Sequence, residues 1–247
     1  MTHLMRIFIL LACLALTVPA AAFDNGAYAT VKGGGSAPYA DLSGADLSGI
    51  NLAGCNLQQA NLNGAILRSA DLTGANLNGA SLKTADLEAA KLDRAQLQNV
   101  QLSYANLGFA SLKDANLTGA NCYRSNMRAA QLDGATLYET NLQEVTLDKA
   151  SLQHVDATAV NLSYSWLFKA NFTGALLTRA RLYNAKGNYA VFNDANLTDA
   201  VLSQAQFANS SFDKARLNQA LLNATDFTGA SLKETFWGTS NIGDAKF

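Results

Sequence analysis

Ala40-Asp41-Leu42-Ser43-Gly44-Ala45-Asp46-Leu47-Ser48-Gly49 is one five-residue unit written twice, and the unit runs on to Phe247 without a slip of register. Every fifth position from 42 to 247 is a repeat centre. Of these 42 centres 30 are Leu, and most of the others are Phe, Met, Ile or Trp. Two residues before each centre sits a small residue, Ala in 29 of the 42 cases. Self-similarity at a fixed short period means stacked units that share one core. The repeat therefore decides the architecture, and it names a shape rather than an activity.

A period of five fits neither the 3.6 of a helix nor the plain alternation of a long strand. The small and large residues are two apart, so in an extended segment they point the same way. The other three positions are polar or Gly and face water. After each centre the chain must turn so that the next small–large pair again points inward. Glycines such as Gly44, Gly64 and Gly74 sit two places after a centre, where they relieve strain at a corner. A helical alternative is rejected because Asn, Asp, Ser, Thr and Gly crowd the chain and compete with helical hydrogen bonding. The pattern predicts an all-β solenoid.

The tandem Ala-(Asp/Asn)-Leu units, seen again in Ala75-Asn76-Leu77-Asn78-Gly79, resemble the pentapeptide-repeat proteins over about five-sixths of the chain. The resemblance implies a right-handed quadrilateral β-helix with four pentapeptides per coil and Leu and Ala filling the square interior. About ten coils follow, stacked at about 4.8 Å into a rod on the order of 50 Å long. Residues twenty apart would lie above one another. Thirty buried Leu, at roughly 1.5–3 kcal/mol each, favour such a rod against the cost of ordering its backbone. Two centres depart from the pattern. Ala157 is small, so a gap is expected between Leu137 and Leu177. Gly187 stacks against Phe207, whose ring is expected to take the vacated space. Both are read as packing irregularities rather than sites.

Residues 1–22 stand outside the repeat. Arg6, an apolar run from Ile7 to Val18 and Pro19-Ala20-Ala21-Ala22 before Phe23 read as a secretory signal peptide, with an apolar stretch too short to span a membrane. Leu10-Leu11-Ala12-Cys13 resembles a lipoprotein box as a competing reading, though the apolar run continues past Cys13. Residues 23–39 are expected to lay a strand or short turn over the first coil, or to be a leader. Residues 40–247 form the repeat. No membrane segment follows the signal, so the mature rod is expected in the periplasm, or in a thylakoid lumen if the source is a cyanobacterium. Cys55 and Cys122 fall at inward positions on different faces, about three coils apart, out of reach of a disulfide.

Some members of the family resembled mimic duplex DNA and bind gyrase, which needs a strongly acidic surface. Here 18 basic residues stand against 19 acidic ones, interspersed along the chain. Charge and export both disfavour topoisomerase inhibition, the alternative function, and no nucleic-acid partner is expected. Catalysis finds no support either. His154 is the single histidine of the mature chain and points outward without a second ligand or nucleophile. The acid pairs Asp133 and Glu139, Glu144 and Asp148, and Asp194 and Asp199 are scattered over a convex prism without a cleft to shift their pKa values. Metal sites need convergent Cys, His or carboxylates, and the cysteines point inward. The chain is read as non-catalytic, with no cofactor.

Folding the sequence by twenty puts Tyr104, Tyr123, Tyr164 and Tyr183 on one wall. The next wall receives Phe109, Trp166, Phe168 and Tyr189, with Lys149, Lys169 and Lys186 among them. Aromatic and basic groups gathered on an otherwise polar surface have the composition of a recognition patch. The plainer reading is that ring contacts stabilise neighbouring strands. Aromatic walls also bind sugars, which makes a polysaccharide ligand a sub-case. At the C-terminal end nothing caps the coil, and Phe236, Trp237, Ile242 and Phe247 crowd it. That end is a candidate homodimer surface. The expected function is thus an exported, non-catalytic protein-interaction or scaffolding rod.

Overall fold

The structure is a computed structural model that describes residues 24–247, so the signal-peptide reading of 1–22, with Cys13 and Phe23, lies outside the described residues. From Asp41 with Asn61 to Asp226 with Lys246, each unit pairs in parallel with the unit twenty residues on. Four units thus close one turn and make four walls. The first wall holds the centres Leu42, Leu62 and onward, the second Leu47 and onward, the third Leu52, and the fourth Leu57.

The hydrogen bonds explain why the walls are so short. Leu42 N–H donates to Asn61 O at 2.7 Å, Gly44 N–H to Asn63 O at 2.9 Å, and Asn61 N–H to Ala40 O at 2.8 Å. Ala45 N–H then folds back onto Leu42 O at 3.1 Å and closes a turn. The turn consumes most of each unit, leaving one bridged residue per wall. Short stacked strands are expected from the sequence; the structure has single-residue bridges instead.

At each corner from Tyr39 to Glu234 the residue two after the centre has a left-handed backbone. Outside glycine, 30 residues from Tyr39 to Glu234 adopt φ between 52° and 63°. The turn therefore has the type II pattern, which requires positive φ at its third residue. Glycine is the inexpensive choice there, but the inter-coil and turn bonds hold Tyr, Phe, Lys and Glu in the same geometry.

The Asp and Asn of the repeat have a specific task. Their carboxylate or amide oxygen accepts the N–H of the residue after the centre, as Asp41 does from Ser43 at 3.0 Å. Where the unit carries Ser, Gln or Trp in that place, the acceptor can come from the coil before. Asn63 accepts from Lys83 N–H at 2.9 Å, and Asp93 from Lys113 N–H at 2.9 Å. Either arrangement satisfies a backbone donor that no ladder bond reaches.

Inside, every Leu centre from Leu42 to Leu222 is buried, as are Cys122, Met127, Ala157 and most of the Ala spacers. Toward the C-terminus the Leu column gives way to Phe. Phe172, Phe192 and Phe212 stack on the third wall at 4.9 and 4.7 Å between ring centroids. Polar residues at the small inward position pair with nearby carbonyls. Ser125 Oγ donates to Cys122 O at 2.9 Å, and Thr140 Oγ1 donates to Leu117 O at 2.8 Å.

The two ends differ. Residues 25–32 form a helix, α1 (Asn25–Lys32), rather than the strand, turn or leader expected from the sequence. Asp24 caps it through Gly26 N–H and Ala27 N–H, and Gly33 ends it. Its Val31 is fully buried on the first coil, and Tyr28 hydroxyl donates to Asp46 O at 3.2 Å. The winding also begins earlier than residue 40. Ala37 N–H donates to Asn56 O, Tyr39 takes the left-handed corner, and Ser36 Oγ accepts Asn56 N–H at 2.9 Å. At the other end no element among the described residues covers the final coil, where Leu232 and Trp237 are only partly buried and Ile242 and Phe247 are exposed.

Candidate interaction surface

On the first wall the tyrosines form two copies of one arrangement. Tyr104 meets Tyr123 edge to face at 5.7 Å, and Tyr164 meets Tyr183 in the same way at 5.5 Å. In each copy the second hydroxyl donates to a side chain at the next corner. Tyr123 reaches Glu144 Oε1 at 3.0 Å, and Tyr183 reaches Gln204 Oε1 at 2.7 Å. Ser103 and Ser163, each just before the first tyrosine, are buried. The copies are three coils apart, about 14 Å along the rod. In the sequence Glu144 reads only as one of a scattered acid pair and Gln204 is not singled out, although their offset of sixty, matching that between the tyrosines, carries the signal.

Arg124 ties this wall to its neighbour. Its Nε lies 2.7 Å from Glu144 Oε2, and its guanidinium stands 5.1 Å from the Tyr123 ring centroid. The Arg124 hydrogen bond holds the Glu144 carboxyl below the usual carboxylate range. Desolvation, with the Glu144 hydrogen bond next, pushes the Tyr123 hydroxyl up. Arg124 and Glu144 are both partly solvated, so the pair positions side chains more than it adds stability.

The second wall brings the remaining predicted residues into two groups. Lys186 Nζ stands 3.8 Å from the Trp166 ring centroid. Phe168 and Tyr189 meet edge to face at 5.7 Å, with Lys169 Nζ 5.1 Å from the first centroid and 6.0 Å from the second. Phe109 joins neither group; it is exposed at a corner three coils from Lys169. Two grooves, of about 600 and 520 Å³, flank Trp166 and Lys186. The first is lined by Arg124, Glu144, Tyr164 and Asn184 beside that pair, and the second by Asp148, Phe168, Asn188 and Gln206.

Charge on these walls is uneven. Between residues 100 and 209 they present Arg124, Arg128, Lys149, Lys169, Arg181 and Lys186 against Glu144 and Asp148 alone. The near-neutral balance of the whole chain conceals this basic region. On the third wall the carboxylates alternate with lysine, as in the column Asp93, Lys113, Asp133.

The other candidate residues stay apart from one another. His154 is exposed, and its ring leans over Gly174 in the next coil. Asp133 is a turn acceptor for Ser151 and Gln153 rather than half of an acid pair. Cys55 and Cys122 are unpaired and buried, and burial pushes the Cys122 thiol up to about 12. Among the described residues no three His, Cys, Asp or Glu side chains gather as metal ligands. At the C-terminal end Leu232, Trp237, Ile242 and Phe247 line one apolar hollow. Phe236 is not part of it: sitting just before a centre, it faces out from the fourth wall beside Arg216 and Lys214.

With this geometry in place, likeness to known proteins becomes informative. The pattern of the Pentapeptide repeats family matches in eight copies, over residues 40–79, 80–119, 95–130, 125–163, 167–204 and 200–236. No match was found among curated proteins. The chain is similar to the crystal structure of HetL, a pentapeptide repeat protein involved in heterocyst differentiation regulation from the cyanobacterium Nostoc sp. Strain PCC 7120. Identity is 29%, the TM-score is 0.76, and the match covers 82% of this chain and 88% of that one. A pentapeptide repeat protein from the Arabidopsis thaliana thylakoid lumen is 35% identical over 42% of this chain and 68% of its own, with a TM-score of 0.33. QnrB1, a plasmid-mediated fluoroquinolone resistance protein, is 17% identical over 81% of this chain and 88% of its own, with a TM-score of 0.40. Matched over most of its length, and wound as the quadrilateral β-helix of its solved relatives, the chain belongs to the pentapeptide-repeat family.

Proposed function

We propose that this chain is an exported, non-catalytic interaction rod that acts in the periplasm or a thylakoid lumen by presenting its first and second walls to a protein partner. The observation that carries the reading is the gathering of Tyr164, Tyr183, Trp166, Lys186, Phe168, Lys169 and Tyr189 on two adjoining walls of a prism whose interior is filled. A filled core leaves no internal chamber for chemistry, and family members are in general non-catalytic. The regulatory part described for HetL supports binding rather than turnover. Export rests on the sequence of residues 1–22. A basic recognition wall is also the opposite of the acidic surface that DNA mimicry needs.

The test is co-purification from the native envelope with Trp166→Ala and Tyr164→Ala variants. Loss of a partner from both variants is the expected result; unchanged partners would remove the reading. The open C-terminal coil is proposed as a self-association end. Among the described residues its edge amides find no acceptor in a further coil, and the hollow of Leu232, Trp237, Ile242 and Phe247 is apolar. Sedimentation should show a dimer that Ile242→Asp dissociates, and a monomer at all concentrations would reject it.

A further inference from the structure

We propose that the second wall, along the trough centred on Trp166 and Lys186, binds an extended polypeptide segment rich in Asp and Glu. This deepens the interaction-rod reading and rests on it, because it names the chemistry of the partner.

Unmatched charge is the first observation. Among the described residues the ion pairs are Arg68 with Asp86 and Glu88, and Arg124 with Glu144. Arg128, Lys149, Lys169 and Lys186 therefore stand on one wall with no carboxylate within ion-pair distance. Asp148 is the only acid on that wall between residues 105 and 209, and its Oδ1 accepts Phe168 N–H at 3.0 Å. Four like charges on neighbouring coils repel one another, and an anionic partner relieves that repulsion.

The second observation is where two of those cations sit. Lys186 covers the Trp166 ring, and Lys169 lies over the rings of Phe168 and Tyr189. A sugar that stacks on an aromatic ring needs the ring face, and here the protein's own ammonium groups occupy it. What the wall presents outward is ammonium N–H donors on an aromatic floor. Carboxylates fit the donors, and apolar side chains between the carboxylates fit the exposed ring edges. Asn184 and Gln206, at the two sides of the trough, carry both a donor and an acceptor, as pairing with a peptide backbone requires. The two grooves share Trp166 and Lys186, so one segment can run through both.

The full-length chain is titrated with poly-L-glutamate at low ionic strength, with polygalacturonate and poly-L-lysine in parallel. Binding of poly-L-glutamate that weakens as salt rises is expected, with no binding of poly-L-lysine. The double charge reversal Lys169→Glu with Lys186→Glu should weaken it by about tenfold or more, whereas Lys91→Glu on the third wall should not. Unchanged thermal unfolding confirms that the variants fold. No binding of poly-L-glutamate, or binding indifferent to the double reversal, would overturn the proposal. Polygalacturonate held more tightly than poly-L-glutamate would also overturn it, in favour of an acidic polysaccharide. If Trp166→Ala abolishes the envelope partner while poly-L-glutamate never binds, the interaction-rod reading stands and this inference alone falls.

Discussion

The ring of Phe207 fills the space that Gly187 vacates one coil earlier: a Cβ on Gly187 would strike Phe207 Cε1 and Cδ1. The missing side chain is thus no hole but half of an exchange of volume between neighbouring coils. Restoring the consensus by Gly187→Leu should overpack this site and destabilise the rod by about 1–3 kcal/mol. Adding Phe207→Leu should recover most of that loss, because the two positions share one space. Chemical denaturation of the two single variants and the double variant measures the coupling. Additive losses would show that the sites are independent.

A second expectation separates two reasons for a corner glycine. Gly44 has φ of 69° and nothing within 4 Å of where its Cβ would be, so Gly44→Ala should cost only the left-handed backbone term, about 1 kcal/mol. Gly134 has φ of 71°, and its Cβ would strike Asp114 Oδ1. Gly134→Ala should cost more than Gly44→Ala, and Asp114→Gly in the same chain should remove the excess. In the opposite direction Ala159, held at φ of 57°, should gain stability as Ala159→Gly. Comparing unfolding midpoints at equal slope decides among these.

These corners also show what the sequence made legible and what it hid. The period of five and the Leu column identify a solenoid because they record which side chains leave water. That signal is written at every centre, and the walls repeat it. Backbone conformation is less visible. A glycine announces a left-handed corner, but Tyr104, Lys169 and Glu144 take the same φ with no compositional mark, since the stacked hydrogen bonds impose it. Helix α1 was missed because it lies outside the repeat and is short, and its stability comes from burying Val31 rather than from propensity. The pairing of tyrosine and tryptophan walls followed from folding by twenty. Net charge, being a sum over all four walls, could not reveal the basic second wall. Phe236 was misplaced for a local reason: it lies one residue before a centre, which points it away from the terminal hollow.

Thiol chemistry offers a direct check on the core. Cys122 is fully buried at a centre, and burial raises its thiol pKa to about 12, so the thiolate is scarce at neutral pH. Alkylation of the native full chain at neutral pH should leave Cys122 unmodified, and denaturant should expose it fully. Peptide mapping by mass spectrometry identifies the residue. Rapid native labelling of Cys122 would mean that the coil opens there.

Acid should unfold the rod through its turn acceptors. Asp41, Asp71 and Asp226 each accept hydrogen bonds from the Ser or Thr two residues on, and these bonds hold their carboxyls below the ordinary value. The folded state thus prefers the ionised form more strongly than the unfolded chain does. On lowering the pH, the unfolded chain takes up protons first, from about pH 4 downward, while the folded carboxyls stay ionised. The stabilisation is therefore complete above that range and is lost as pH falls through the depressed folded values. Denaturation midpoints should stay level from about pH 5 to 8 and fall below about pH 4. Asp71→Asn keeps an oxygen acceptor for Thr73 N–H without the titrating group, so it should flatten the acid limb while changing little at neutral pH. An acid limb as steep as that of the parent chain would show that Asp71 contributes nothing to it.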